Sequence, residues 1–461
     1  MRAPSMKTLL MTTIAGAMTF VAMNANAWPM WTSFKAANID ASARVIDYSD
    51  PRAITTSEGQ SYAMFFALVA NDRETFDRLL EWTEKNLAKG DITKQLPSWL
   101  WGKNGESWGI IDSNNATDSD LWIAYDLLEA ARIWHEPKYA EKARAMMQLL
   151  KNDVREVPNL GRVLLPGGQG FDHPTHVTLN PSYWPLFILR RMALEDPYWA
   201  TVAEGTVRAL VRTAPAGFSP DWAKIDKTGK LIAPEGDDYT LGSYNSIRVY
   251  LWTGMLSPED PAYDILKAQF EPMISLTQSL NMPPEKVNVV TGTVNQAGSA
   301  GFAACLLELL DGTKTADLIR TVIGSEPIIG ENYYRNVLML YGAGFDEGLY
   351  RFDVDGRLEI SAAARDFTTA RAAADARAAE IRKAEQAKAQ VQTAAKHAEA
   401  ASEPVHEAPA AQSKEKVEKA EKVEKVEKAE KAEKAEKTEK APAADADAAA
   451  AKDDATQGAQ K

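Results

Sequence analysis

The chain has 461 residues but only one cysteine, Cys305, and only five histidines. A single cysteine excludes an intramolecular disulfide, and the sequence offers no histidine in the arrangement that a catalytic thiol needs. Cys305 lies in the apolar run 302–310 and is expected in the core. His173 and His176 form a lone pair in a proline-containing loop, which is too little for a metal site. No metal and no cofactor are therefore expected.

An excess of positive charge is also absent. Lysine and arginine total 52 against 64 acidic residues, which gives a formal net charge of −12. Without surplus cations to displace the counterions of phosphates, nucleic acid is not an expected partner. A neutral polymer is compatible with this balance. The chain has twelve tryptophans, whose flat rings suit the apolar faces of sugars, although most of them are expected to fill the core.

Long hydrophobic runs are missing except for a short stretch near the N-terminus. Arg2 and Lys7 precede the apolar residues 9–23, and Ala-Asn-Ala follows at 25–27. This order is typical of a signal peptide with its cleavage site, and the stretch is too short for a membrane span. We expect residues 1–27 to be removed, with no membrane span in the mature chain. A signal peptide without a disulfide framework indicates a periplasmic or secreted bacterial protein.

Aromatic residues almost disappear after about residue 365. Residues 414–440 consist of a three-residue repeat of glutamate, lysine and a small apolar residue. A period of three matches neither 3.5 nor 3.6, so it cannot sustain an apolar helix face. Residues 366–461 are therefore predicted to be a disordered, low-complexity C-terminal tail. The folded domain is expected to span residues 28–365.

In this folded part, apolar residues recur at helical spacing, and strand-like alternation is scarce. Short polar breaks separate the helical segments, which indicates a chain of about five or six helical hairpins. The predicted segments are 59–70, 76–87, 119–134, 138–153, 181–195, 197–213, 243–255, 261–280, 298–311, 313–324 and 331–344.

Every other predicted helix begins with a polar cluster rich in glycine or serine. The clusters read TTSEGQS, NNATDSD, LNPSY, LGSYNS and NQAGSAG, at residues 55–61, 114–120, 179–183, 241–246 and 295–301. If alternate helices form an inner ring, these clusters converge on one face of a toroid. Ordinary helix capping is the alternative, because Ser57 with Gln60 and Thr117 with Asp120 both fit a capping box.

Two carboxyl groups on that face could meet the requirements of glycoside hydrolysis. One such group protonates the leaving oxygen, and the other attacks the sugar or activates water. Glu58 and Asp118 both lie in polar clusters near aromatic residues. Repulsion between the two carboxylates would raise the pKa of one of them, as a general acid needs.

The runs ITTSEGQSYAMFFALVANDRETFD, PSWLWGK, ATDSDLWIAYDLLEA, LNPSYWP, APAGFSPDW and PPEKV resemble glycoside hydrolase family 8 over roughly residues 28–355. The resemblance implies an all-α fold, an (α/α)6 barrel, and an endo-β-1,4-glucanase that cleaves cellulose with inversion. It implies that Glu58 is the general acid and that Asp118 binds and distorts the sugar beside the scissile bond. The substrate-binding residues that it implies are Trp101, Tyr183, Tyr244 and Arg248.

One position departs from the family pattern. The family has Ser-Tyr-Asp-Ala before Ile-Arg, with the aspartate as general base, whereas this chain has Asn245 there. An amide cannot accept a proton as a carboxylate does. Either Asp237 or Asp238 replaces the base, or Asn245 holds the water while Asp118 takes the proton. The third alternative is a non-hydrolytic or very weakly active glucan-binding component with the same fold.

Within the family, the resemblance is strongest to periplasmic endoglucanases of bacterial cellulose synthesis. It implies a β-1,4-glucan chain as the binding partner and a place beside a cellulose synthase complex. The protein itself is expected to be a monomer.

Overall fold

The structure is a computed structural model that describes residues 28–361. The predicted signal peptide and the predicted tail lie outside the described residues. The helices of the described part are α1 (Pro29–Asn38), α2 (Ser57–Val69), α3 (Arg73–Leu87), α4 (Thr117–Trp134), α5 (Pro137–Leu150), α6 (Leu186–Glu195), α7 (Tyr198–Thr213), α8 (Asp237–Thr240), α9 (Ile247–Met255), α10 (Tyr263–Gln269), α11 (Glu271–Leu280), α12 (Ala300–Ala304), α13 (Lys314–Ser325) and α14 (Tyr333–Asp346).

Short strands lie in the connections between these helices and after α14, and they form small antiparallel sheets. The strands are β1 (Thr55–Thr56), β2 (Leu100–Asn104), β3 (Ser107–Asp112), β4 (Val154–Val157), β5 (Gly161–Leu164), β6 (His176–Leu179), β7 (Ala223–Asp226), β8 (Leu241–Gly242), β9 (Val287–Asn288), β10 (Tyr350–Phe352) and β11 (Leu358–Ile360).

Two kinds of helix alternate along the chain. In α9 and α12 every residue is buried, and in α2 and α14 nearly every residue is. By contrast, α3, α5, α7 and α13 bury one face only. A helix that is apolar all round belongs inside a fold, and an amphipathic helix belongs on its surface. The helices α2, α4, α6, α9, α12 and α14 therefore form an inner ring, and α3, α5, α7 and α13 lie outside it.

Aromatic side chains fill the centre of the inner ring. The rings of Tyr62 (α2) and Tyr341 (α14) lie 5.0 Å apart, and those of Trp122 (α4) and Trp252 (α9) lie 5.4 Å apart. Phe187 of α6 contacts Trp252 at 6.2 Å. Edge-to-face and tilted arrangements at these distances are the favoured geometries of aromatic pairs. These contacts join the inner helices to one another around and across the ring, so the barrel has a packed centre.

The β10–β11 hairpin packs against the inner helices. Tyr125 of α4 donates a hydrogen bond to the carbonyl of Gly356 in the turn of this hairpin at 2.9 Å. Gly356 has a φ of 76°, and a Cβ there would lie 1.8 Å from the carbonyl oxygen of Phe187. Only glycine fits this position.

The alternating helices confirm the predicted (α/α)6 barrel, but several boundaries differ from the sequence-based prediction. Helix α1 was not predicted. The predicted segment 261–280 is two helices, which meet at Phe270 just before Pro272. The segment 298–311 contains only the short helix α12 and a 3-10 turn at Glu308–Leu310, and α6 begins five residues later than predicted.

The prediction of capping boxes at Ser57–Gln60 and Thr117–Asp120 was wrong. Thr56 caps α2 by accepting a bond from the Gly59 N–H, and α4 has no side-chain cap. Within residues 28–361, no helix combines the length and the apolar character that crossing a membrane requires.

Candidate active site

Glu58 is the second residue of α2, at the end of the barrel where the polar clusters lie. Strand β1 immediately precedes α2, and Thr55 of β1 pairs with Trp101 of β2. The Glu58 side chain is 20% exposed. Its Oε1 accepts a hydrogen bond from the Tyr333 hydroxyl at 3.1 Å, and its Oε2 is ion-paired with Arg248. Glu58 is thus held at two oxygens while one side stays open to solvent.

Asp118 is the second residue of α4, the neighbouring inner helix, and its side chain is only 4% exposed. Its Oδ1 accepts from the backbone N–H of Ser119 at 2.8 Å, and its Oδ2 lies 3.3 Å from Arg248. Burial raises the pKa of Asp118 to about 6; the Arg248 charge opposes this rise and the Glu58 charge adds to it. Both carboxyl groups contact the same cation, Arg248.

Arg248 joins four inner helices or their leading turns. It is buried, with 3% of its side chain exposed. Its Nη1 contacts Glu58, the Tyr62 hydroxyl at 2.8 Å and Asp118. Its Nη2 donates to Ser182 Oγ and to Asn245 Oδ1, both at 3.1 Å. The planar guanidinium presents its donors in a fixed fork, so Arg248 sets the relative positions of the two carboxyl groups.

The side-chain orientation of Asn245 follows from its neighbours. Its Oδ1 accepts from Arg248 Nη2 and from Asn180 Nδ2, each at 3.1 Å. Arginine has no acceptor, so the carbonyl oxygen of Asn245 must face Arg248. The Nδ2 group points the other way and offers only donors. Asn245 can hold a water molecule by donating to it, but cannot take its proton.

Aromatic side chains lie on two sides of the carboxyl pair. On the α2 side, Trp101 stacks on the half-exposed Trp108 at 5.4 Å, and the Arg44 guanidinium lies 4.8 Å from the Trp101 ring. On the α6 side, Tyr183 lies 5.8 Å from the Arg248 guanidinium and 6.4 Å from the ring of Trp222. The two groups form aromatic walls that suit sugar rings.

The remaining predicted positions lie around this centre. Tyr244 is half exposed, and its hydroxyl donates to Glu285 at 3.0 Å. Asp237 and Asp238 open the short helix α8, which leads through β8 to the turn of Asn245. Sequence reasoning missed the four partners Tyr62, Asn180, Ser182 and Tyr333. Three of them stand within or beside the motifs already noted, but Tyr333 carries no local signal and lies 275 residues from Glu58.

In residues 28–361, His, Cys, Asp and Glu side chains form no group of three that could hold a metal ion. The rings of His173 and His176 stack at 4.4 Å. The polar contacts of the site are hydrogen bonds and ion pairs, and the chemistry that they support is acid–base chemistry.

The family model "Glycosyl hydrolases family 8" matches residues 5–348 of this chain. The chain is 43% identical to an endoglucanase of Salmonella typhi over 359 residues, which is 76% of this chain and 97% of that protein. It is 42% identical to an endoglucanase of Escherichia coli (strain K12) over 333 residues, or 72% of this chain and 90% of that protein.

Among solved structures, an endo-1,4-D-glucanase from Vibrio fischeri ES114 is similar, with a TM-score of 0.70 and 44% identity. The match covers 72% of this chain and 99% of that one. The family match covers the whole site as well as the barrel. The chain therefore belongs to family 8 of the glycosyl hydrolases.

Proposed function

We propose that this protein is an endo-β-1,4-glucanase that hydrolyses cellulose with inversion at the anomeric carbon. The observation that carries the proposal is the sharing of one buried guanidinium by Glu58 and Asp118 at the convergent ends of the inner helices. Glycosidases use a pair of carboxyl groups, and here the pair lies beside aromatic side chains. Membership in family 8 and the similarity to endoglucanases support the same reaction.

Glu58 is proposed as the general acid. Of the two carboxyl groups it is the more exposed, at 20% against 4% for Asp118. It can therefore reach a glycosidic oxygen in the open face. The Tyr333 hydroxyl, which donates to Oε1, fixes the direction of the carboxyl group.

Asp118 is proposed to bind and distort the sugar next to the scissile bond. Its Oδ1 is held by Ser119 and its Oδ2 by Arg248. A nearly buried, fixed carboxylate can bind a sugar hydroxyl more strongly as the ring approaches the transition state, and such bonds supply several kcal/mol in glycosidases.

Two alternatives are open for the general base. Asn245 orients the attacking water through Nδ2 and cannot accept its proton. The proton then passes either to Asp118 or to a carboxylate of the preceding segment, Asp237 or Asp238. The substrate-binding roles of Trp101, Tyr183 and Tyr244 follow from their places on the two aromatic walls and on the rim.

A second function is favoured by Asn245 itself. With an amide at this position, the protein would bind glucan in the same groove and cleave it very slowly or not at all. Against this reading, Glu58 and Asp118 both contact Arg248 and so form one mutually supported set. A site that only binds would not require an acid that is open to solvent.

We further propose that the enzyme works in the periplasm on glucan made by a cellulose synthase complex. The support is the signal-peptide pattern of residues 1–27 and the resemblance to endoglucanases of bacterial cellulose synthesis. Intact mass of the exported protein checks the first part: cleavage after Ala27 leaves Trp28 as the first residue, and a mature form with residues 1–27 contradicts it.

Viscosity and reducing ends, measured together on carboxymethyl cellulose, test the activity. Internal cleavage lowers viscosity well before reducing ends accumulate. Glu58→Gln should abolish both signals, whereas Glu84→Gln, on outer helix α3 and paired with Lys142, should leave them unchanged. Equal loss in both variants, or wild-type binding without any cleavage, contradicts the proposal and favours the glucan-binding function.

A further inference from the structure

Asp221 touches the active site through the backbone of the turn that carries Asn245. Its Oδ1 accepts three backbone N–H groups, from Ser243 at 2.8 Å, Asn245 at 3.1 Å and Ser246 at 2.8 Å. The aspartate stands more than twenty residues before this turn, so it ties together two separate segments. The N–H groups that lead into a helix have no partner within the helix itself, and Asp221 supplies one for all three.

The neighbouring contacts show that the two segments are closely joined. The backbone N–H of Asp221 donates to the Leu241 carbonyl at 2.9 Å, and that of Ser219 donates to the Tyr250 hydroxyl at 2.9 Å. At Gly242, a Cβ would lie 2.4 Å from the Ser219 carbonyl oxygen. Residues 219–221 therefore pack against the turn 243–246 and against the first turns of α9.

Through this turn, Asp221 is connected to the carboxyl pair. Asn245 Oδ1 holds Arg248 Nη2, and Arg248 Nη1 holds Asp118 and Glu58. A displacement of the turn moves the amide oxygen and the start of α9, and with them the guanidinium. A misplacement of about 1 Å in a catalytic arrangement can cost about 100-fold in rate.

We propose that Asp221 is a positioning residue for the hydrolysis: its carboxylate fixes the turn 243–246, so that Asn245 and Arg248 hold Glu58 and Asp118 in their working geometry. This inference rests on the proposed glucanase function. It assigns to Asp221 no contact with the sugar or the attacking water.

The test compares Asp221→Ala and Asp221→Asn with a matched control, Asp226→Ala. Asp226, the last residue of β7, likewise accepts backbone N–H groups with its Oδ1, from Thr228 at 2.8 Å and Lys230 at 3.0 Å. It contacts a hairpin turn instead of α9. Turnover of a cello-oligosaccharide, its pH profile and amide hydrogen exchange in residues 241–250 are measured for each variant.

Asp221→Ala should lower kcat about 10- to 100-fold, and Asp221→Asn should recover most of the loss because its carbonyl oxygen can still accept the N–H groups. Exchange in residues 241–250 should become faster in Asp221→Ala only. The Asp226→Ala control should keep its kcat within about twofold of wild type.

The pH profile separates positioning from a general loss of folded enzyme. The charged and titratable groups that face Asp118 include Arg248, Glu58, Tyr62, Asp120 and Tyr183. Of these, Arg248 lowers the pKa of Asp118. A withdrawn guanidinium therefore raises this pKa, and the acidic limb of kcat/KM should move to higher pH in Asp221→Ala. A smaller folded fraction would scale the profile without moving it.

Several results would overturn the inference. They are an unchanged kcat in Asp221→Ala, an equal loss in Asp226→Ala, or an Asp221→Asn variant as slow as the alanine variant, which would mean that the charge of Asp221 acts directly. If wild-type protein does not cleave glucan, the proposed function fails, and hydrogen exchange alone decides whether Asp221 fixes the turn. If Asp221→Ala does not fold, the asparagine variant decides by its rate and pH profile.

Discussion

Replacing Asn245 by aspartate should turn a water-holding amide into a general base without rebuilding the site. The two side chains have nearly the same volume. One oxygen of the new carboxylate keeps the bonds that Oδ1 now accepts from Arg248 and Asn180, both at 3.1 Å. The second oxygen replaces Nδ2, the group that points away from Arg248. A proton acceptor then stands where the structure now offers only donors.

The size of the effect follows from two opposing contributions. General base assistance is worth about 100- to 10,000-fold in rate. The donors Arg248 and Asn180 favour the charged form of the new carboxylate, however, and a carboxylate stabilised in this way is a weaker base. We therefore expect kcat to rise by at least about tenfold, with KM changed less than about twofold because the bonds to Arg248 and Asn180 are kept.

The assay is steady-state hydrolysis of a cello-oligosaccharide by wild type, Asn245→Asp and a matched control, Asn180→Asp. The control also adds a carboxylate to this network, but it removes the donor to Asn245 Oδ1 and should not raise kcat. A fall in kcat for Asn245→Asp at unchanged melting temperature refutes the reasoning. No change, together with loss of activity in Asp237→Asn or Asp238→Asn, places the base in the segment that precedes the turn.

Three further predictions concern the site, the core and the tail. Arg248→Lys should lower kcat about 100-fold or more, since an ammonium cannot hold Glu58 and Asp118 while also bonding the neighbouring turns; a lysine variant with near wild-type turnover contradicts this role. Asp126 is fully buried, both its carboxyl oxygens lack a partner in the described part of the chain, and burial raises its pKa well above the usual range. Because the folded state keeps the proton of such a group to higher pH, its contribution to the unfolding free energy is greatest below the unfolded pKa and is lost as pH rises. Above about pH 4 the unfolding free energy of wild type should therefore fall with pH more steeply than that of Asp126→Asn, by up to about 1.4 kcal/mol per pH unit in denaturant titrations. Parallel curves for the two proteins would show that Asp126 titrates normally. Deleting the residues after about 370 should leave the melting temperature and glucan cleavage unchanged, and a drop of many degrees would show that the tail contributes to the fold.

The features that the sequence predicted are those with a local pattern. Apolar spacing predicted most of the helices, and polar clusters at alternate helix starts predicted that Glu58 and Asp118 would meet on one face. The family motifs identified Arg248, which the structure places between these two carboxyl groups. Each of these features depends on a short stretch of sequence, so each could be recognised without knowing how the chain folds.

The features that the sequence did not predict depend on distant contacts or on very short elements. The strands have two to six residues, which is too short for an alternating pattern. The break at Phe270 lies inside a segment whose apolar residues keep helical spacing on both sides, and its one local signal is Pro272. Asn245 Oδ1 accepts from Asn180, 65 residues away, as well as from Arg248, and Glu58 accepts from Tyr333, 275 residues away. Only the packed barrel brings such partners together.

The stereochemistry of the first product tests most directly the claim that Glu58 and Asp118 serve an inverting glucanase. Proton NMR of a cello-oligosaccharide digest, recorded before mutarotation equilibrates the anomers, distinguishes the two outcomes. Inversion at a β-linkage should give the α-anomer first, and Glu58→Gln should give no product on the same timescale. A β-anomer formed first, or undiminished cleavage by Glu58→Gln, would contradict the account.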